Sequence, residues 1–219
     1  MPIHYAATEG HGHIIRMLVQ HGKAELLAVN KKGKSILHMA ASNPNNTECM
    51  RVIMELIKSH KTLSTKFNIN AMDNAGNTAL HYAAECGSLD NVRCLIEEFG
   101  ADFDAQDKTQ QTPCHISAYI GDYEIVKYLV NNCSVDLTLC DEDGISILRY
   151  AQEAKNKKIV RFLKTYLEIE FNSEDENSDE GDDYLDSDES SEMSSSDEEE
   201  TESEEDEEPP VLVEAPNGR

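Results

Sequence analysis

The chain has no run of about 18 consecutive apolar residues, the length that crosses a bilayer, so the sequence predicts no membrane-spanning helix. It shows no charged and then apolar leader ahead of its first patterned segment, Pro2-Ile3-His4-Tyr5-Ala6-Ala7. That leaves no room for a signal peptide and predicts a cytoplasmic and/or nuclear protein. The 6 cysteines, Cys49, Cys86, Cys94, Cys114, Cys133 and Cys140, contain no C-x-x-C pair, and reduced, packed thiols are expected. No Ser, His and acid set and no Cys and His pair stands apart from the patterned residues. The sequence therefore predicts no catalytic residue, no cofactor-binding residue and no metal ligand, and a chain that is not an enzyme. Bases are missing from one long stretch: residues 173–208 hold 21 Asp and Glu and no Lys or Arg. Large apolar side chains are scarce there too, with only Tyr184, Leu185 and Met193, too few to offset about 1–2 kcal/mol of backbone entropy per ordered residue. Residues 170–219 are thus expected to be a disordered acidic tail and residues 1–169 a folded domain. Residues 1–172 carry 21 acids and 18 bases, so nearly all of the net charge of −24 lies on the tail.

What the folded part does contain is a phrase with a period. Pro2-Ile3-His4-Tyr5-Ala6-Ala7 returns as Ile36-Leu37-His38-Met39-Ala40-Ala41, Ala79-Leu80-His81-Tyr82-Ala83-Ala84, Pro113-Cys114-His115-Ile116-Ser117-Ala118 and Ile147-Leu148-Arg149-Tyr150-Ala151. Successive phrases lie 34, 43, 34 and 34 residues apart, the range of stacked repeat units. The phrase resembles the T-P-L-H-x-A-A signature of ankyrin repeats over residues 1–167. The resemblance implies an all-α solenoid of helix-turn-helix units with projecting hairpin fingers, four units plus a C-terminal cap, followed by the tail.

The third unit reads most plainly. Asp73-Asn74-Ala75-Gly76-Asn77-Thr78 is a turn, with an acidic side chain able to bond backbone two residues on and a glycine for positive φ. Thr78 caps a short helix whose Ala79, Leu80, Ala83 and Ala84 make a small apolar face. A second helix over 89–99 carries Val92, Leu95, Ile96 and Phe99 at helical spacing. Departures elsewhere are informative. Asn30 replaces the finger acid in the first finger, and Gln110 replaces the turn glycine in the third, which predicts another geometry or a strained non-glycine residue. The second unit has nine extra residues, about eight of them in Lys58 to Phe67, expected as a longer outer helix or a surface loop. The fifth unit stops after its second helix, where Lys155, Lys157, Lys158, Arg161 and Lys164 suggest the polar outer face of a cap. Met1 stands where the signature has Thr, so the chain opens inside a unit, as a fragment of a longer protein would.

Three other patterns dissolve into the repeat. Ala28-Val29-Asn30-Lys31-Lys32-Gly33-Lys34-Ser35 fits a relaxed phosphate loop but lies in register with the finger at 73–78. His4, His38, His81 and His115 recur at one repeat position, about 10 Å apart by helix packing, too far to share a zinc with ~2 Å bonds. The resemblance gives these four a structural hydrogen bond at the finger base. His11, His13 and His21 are expected to be a solvated cluster.

Binding is expected where stacking leaves side chains free. By the resemblance these are the finger tips and the inner face of the first helices, and the residues expected to meet a partner are Lys31, Lys32, Lys34, Asn74, Asn77, Tyr82, Glu85, Lys108, Gln111, Tyr119, Glu142 and Asp143. The tips grade from basic to acidic along the stack. In the tail, Ser173, Ser194, Ser195, Ser196, Thr201 and Ser203 each have an acid three residues on, which resembles the substrate pattern of casein-kinase-2-type kinases. The expected function is a monomeric protein-binding adaptor that uses a concave face and is modulated by a phosphorylatable tail, with no nucleic-acid partner. Two alternatives are an acidic chaperone, its tail holding histones or other basic proteins, and a piece of a larger multidomain protein.

Overall fold

Every finger ends in a hydroxyl residue, and each such residue starts a helix. The computed structural model describes residues 1–22 and 24–168. Five helix pairs follow one another: α1 (Pro2–Thr8) with α2 (Gly12–Gly22), α3 (Ile36–Ala41) with α4 (Thr47–Ser59) and the one-turn α5 (Lys61–Ser64), α6 (Ala79–Glu85) with α7 (Leu89–Arg93), α8 (Pro113–Ile120) with α9 (Tyr123–Tyr128), and α10 (Ile147–Glu153) with α11 (Lys157–Tyr166). Among the described residues, bridged extended backbone is limited to two single antiparallel pairs, Val29 with Ser35 and Cys140 with Ser146, each closing a finger. The tail, its six expected phosphorylation sites and the boundary expected after residue 169 lie outside the described residues.

Inner helices are short and alanine-rich, which lets them approach closely. Ala7, Ala40, Ala41, Ala83, Ala84, Ala118 and Ala151 are fully buried as α1 packs on α3, α3 on α6, α6 on α8 and α8 on α10. The outer helical segments supply bulk: Ile15, Ile53, Leu95, Leu129 and Leu163, one from each unit, are fully buried. Each such side chain contributes about 1.5–3 kcal/mol of transfer free energy. The extra residues of the second unit lengthen α4 to 13 residues and add α5, with the Lys58 ammonium 5.7 Å from the Phe99 ring centroid. Helices α7 and α9 are each continued by one turn at π spacing, Cys94–Glu98 and Leu129–Cys133. On the cap, Lys155, Lys157, Lys158 and Arg161 are exposed, whereas Lys164 is buried, contrary to the expectation of an outward-facing row. Lys164 lies one residue after Leu163 and turns with it toward the stack.

Candidate functional site

The fingers are built around one acceptor side chain. Asn30, Asp73, Asp107 and Asp141 each take two or more hydrogen bonds from the tip through Oδ1, as in Ala75 N–H (2.8 Å) and Asn77 N–H (3.0 Å) to Asp73. The turn then needs a left-handed residue, which is Gly33, Gly76 or Gly144, and in the third finger Gln110 at φ 62°. The turn geometry is kept and the non-glycine residue carries the strain. Neighbouring fingers are joined at their tips: Asn74 N–H donates to the Lys32 carbonyl (3.0 Å), Lys108 N–H to Ala75 (3.2 Å) and Glu142 N–H to Thr109 (2.9 Å).

At the finger base the recurring histidine ties one unit to the next. Nδ1 of His38, His81 and His115 accepts the backbone N–H of Ser35 (3.1 Å), Thr78 (3.2 Å) and Thr112 (3.2 Å). A backbone N–H can only donate, so Nδ1 is unprotonated and the proton sits on Nε2. Nε2–H donates to the next finger, from His4 to the Lys34 carbonyl (3.1 Å), from His38 to Asn77 (3.0 Å) and from His81 to Gln111 (3.0 Å). Nε2 of His115 faces the carbonyls of the last finger without closing a bond, and Nδ1 of His4 lacks the Ser or Thr partner because Met1 stands there. Burial lowers the pKa of all four histidines below the usual 6.5. His4, His38 and His81 are structural donors to the next finger, the role that the resemblance implied, whereas His115 keeps only the bond at Nδ1 within its own finger base.

Two tyrosines belong to this framework. Tyr82 and Tyr150 donate through their hydroxyls to Oδ2 of Asp73 and Asp141, both at 2.7 Å. Burial opposes ionisation of the two aspartates, but hydrogen bonds from the tyrosine hydroxyl and the finger N–H groups outweigh it, and both carboxyls sit below the usual 3.8. Each ring also meets the histidine of the preceding unit edge-on, His38 to Tyr82 at 5.9 Å and His115 to Tyr150 at 5.7 Å. Tyr5, Tyr82 and Tyr150 stand two units apart; Tyr82 and Tyr150 meet histidines, Tyr150 also meets Tyr119, and Tyr5 is exposed.

The residues expected at a binding surface separate accordingly. Tyr82 is 8% exposed, with the Lys34 ammonium 3.9 Å above its ring. Gln111 donates to the Tyr150 hydroxyl (2.8 Å), Lys108 to the Asn74 carbonyl (2.6 Å), and Asn77 is half-buried in the finger base. Lys31, Lys32, Asn74, Glu85, Tyr119, Glu142 and Asp143 present exposed side chains. Tyr119 is 60% exposed and Ile120 48%, adjacent on the last turn of α8. The segment that mimicked a phosphate loop is the first finger, closed by the Val29 and Ser35 bridge, with Asn74 packed against Gly33. All six cysteines are free thiols, and burial pushes Cys49 up to about 11 and Cys94 and Cys114 up to about 12. Sequence reasoning passed over Asn46 and Asn91, whose amides donate to carbonyls at the end of the preceding inner helix: Asn46 to Ala7 (2.9 Å) and Asn91 to Asn43 (2.8 Å). Their signal was position, a polar residue at the start of an outer helix.

Comparison with known proteins agrees with this geometry. A profile of ankyrin repeats in three copies matches residues 1–65 and 95–175, and a single ankyrin repeat profile matches residues 75–108. The palmitoyltransferase AKR1 of Lachancea kluyveri is 32% identical over 131 residues, 60% of this chain and 17% of that protein. Rabankyrin-5 of Mus musculus is 34% identical over 83 residues, 38% of this chain and 7% of that protein. The nuclear factor NF-kappa-B p105 subunit of Gallus gallus is 31% identical over 114 residues, 51% of this chain and 11% of that protein. The chain thus spans less than a fifth of the length of each of these relatives.

Proposed function

The chain belongs to the ankyrin repeat family, whose arrays are protein–protein interaction modules, and from that premise we propose that it is a non-enzymatic adaptor binding another protein across its inner-helix face and finger tips. The observation that carries this reading is the exposed aromatic and aliphatic surface at the end of α8, Tyr119 and Ile120, on the same inner-helix array whose first and last fingers carry the exposed Lys31, Lys32, Glu142 and Asp143. Large exposed aromatics anchor interfaces because they bury much area at small entropy cost. The palmitoyltransferase relative gives no ground for transferring its activity, since the match covers 17% of it. On this reading the protein acts as a monomer in the cytoplasm and/or nucleus, and kinases that prefer acidic sites tune it through Ser173, Ser194, Ser195, Ser196, Thr201 and Ser203. No described helix is long and apolar enough to cross a membrane.

The test is capture of partners from a lysate by the full chain, by a Lys31→Ala/Lys32→Ala/Tyr119→Ala variant, and by a chain ending at residue 169. A partner lost with the triple variant, at an unchanged melting temperature, supports the reading. A partner that ignores the triple variant but is lost with the tail would make the acidic chaperone for histones or other basic proteins the better one, because residues 173–208 carry 21 acids.

A further inference from the structure

We propose that the surface around Tyr119 takes a basic segment of the partner, with an arginine or lysine side chain lying against the Tyr119 ring between the carboxylates of Glu85 and Glu153. This rests on the protein-binding reading of the inner-helix face and names the chemistry that the face selects. Glu85, Tyr119 and Glu153 are spaced by 34 residues, so they hold the same register on the last turns of α6, α8 and α10. Those three helices stack in that order, and helices in contact lie about 8–10 Å apart. An exposed aromatic ring is therefore flanked on each side, one helix away, by an exposed carboxylate. The same register in α1 and α3 holds Thr8 and Ser42, which confines the arrangement to the C-terminal half of the face.

The ring is positioned rather than loose. Tyr119 meets Tyr150 edge-to-face at 5.9 Å, and the Tyr150 hydroxyl is pinned by Asp141 (2.7 Å) and Gln111 (2.8 Å). A cation over a tyrosine face is attracted by the ring quadrupole, and flanking carboxylates add charge complementarity. Arg149 pairs with Glu153 (3.0 Å), but both side chains are exposed at 63% and 43%, and a pair of that kind exchanges readily for an incoming guanidinium. An apolar helix would desolvate Glu85 and the Arg149–Glu153 pair and offer neither a new partner, which disfavours it.

The experiment is an amide NMR titration of the full chain at about 0.15 M salt, where diffuse attraction to the acidic tail is screened beyond roughly 8 Å. The probes are a synthetic dodecapeptide of Arg-Gly-Leu repeats and its Glu-Gly-Leu counterpart. The basic peptide should shift Glu85, Tyr119, Ile120 and Glu153 saturably. Tyr119→Ala should weaken that site by about two- to fivefold, the range of an exposed cation–π contact, and Tyr119→Phe should restore it. Glu85→Gln with Glu153→Gln should weaken it and flatten its salt dependence. The proposal is overturned if the basic peptide shifts only residues after 172, if both peptides bind alike, or if the patch shifts with protein concentration alone, as self-association would make it. A Glu-Gly-Leu peptide that shifts the Lys31 and Lys32 end of the face, with no response at Tyr119 to either probe, would sink this inference and leave protein binding by the face standing.

Discussion

At Gln110 the backbone takes φ 62°, a conformation that costs a residue with a Cβ about 1–2 kcal/mol, while glycine costs only about 0.5–1 kcal/mol in unfolded-state entropy. The strain outweighs the entropy, so Gln110→Gly should raise unfolding stability by roughly 0.5–1 kcal/mol, read from a denaturant midpoint. Gly76→Ala should do the opposite, and by about 2 kcal/mol or more: its Cβ would sit 2.5 Å from the Lys108 backbone nitrogen, which also spends its N–H on Ala75. The buried histidines set a pH dependence at the same scale. Their folded pKa values lie below 6.5, so the unfolded chain binds more protons below that pH, and stability rises with pH in that window. Stability should be level above about pH 7.5 and fall as pH drops below 6.5. Asp73 and Asp141, whose pKa values are lowered, hold their contribution above 3.8 and lose it as pH falls through the folded value. Urea melts from pH 8 to pH 3 should therefore show two separate losses, and His81→Gln should reduce the first. A single loss near pH 4 would refute the neutral-histidine ladder.

Helix pairs are held together by apolar faces and by a few buried amides. Leu80 on α6 is 1% exposed, and Leu80→Ala should cost about 2–5 kcal/mol. Lys31→Ala and Lys32→Ala on the first tip should each stay within about 0.5 kcal/mol. Asn91 at the start of α7 is fully buried, donates to the Asn43 carbonyl and accepts the Thr47 hydroxyl (2.6 Å). Asn91→Ala leaves both partners unsatisfied, and a loss of about 1–3 kcal/mol is expected in the same melts. Asn91→Asp keeps the shape but places a charge against a carbonyl, so it should be worse than alanine. The order Asp, Ala, Asn in rising stability is the signature of a polar tie between units rather than of packing volume.

For the whole molecule, stacking means that each unit is stabilised by its neighbours alone. The first and last helix pairs have one neighbour each among the described residues, and α1 has no capping hydroxyl residue before it. Hydrogen exchange should be slowest in α6 and α8 and faster toward α1 and α11. Leu80→Ala should speed exchange on both sides of α6 at once. Uniform protection from α1 to α11 would show a single cooperative core in place of coupled units.

Read alone, the sequence determined the finger turns, the hydroxyl caps and the alanine face, because each depends on residues a few positions apart along the chain, and it showed the period and the recurring histidine because one phrase returns at intervals of 34 to 43 residues. It also marked the positions that break the rule, Gln110 and the extra residues after Ile57. Which tyrosine is spent and which is free was decided only by the tertiary structure. Tyr82 and Tyr150 reach an aspartate nine residues back because the finger folds over the helix that follows it, and each then packs on the histidine of the unit before. Tyr119 sits one turn further along its helix, beyond the reach of its finger, and stays exposed. The row that it forms with Glu85 and Glu153 exists only because three helices stack in register, since exposure is set by what the neighbouring units cover.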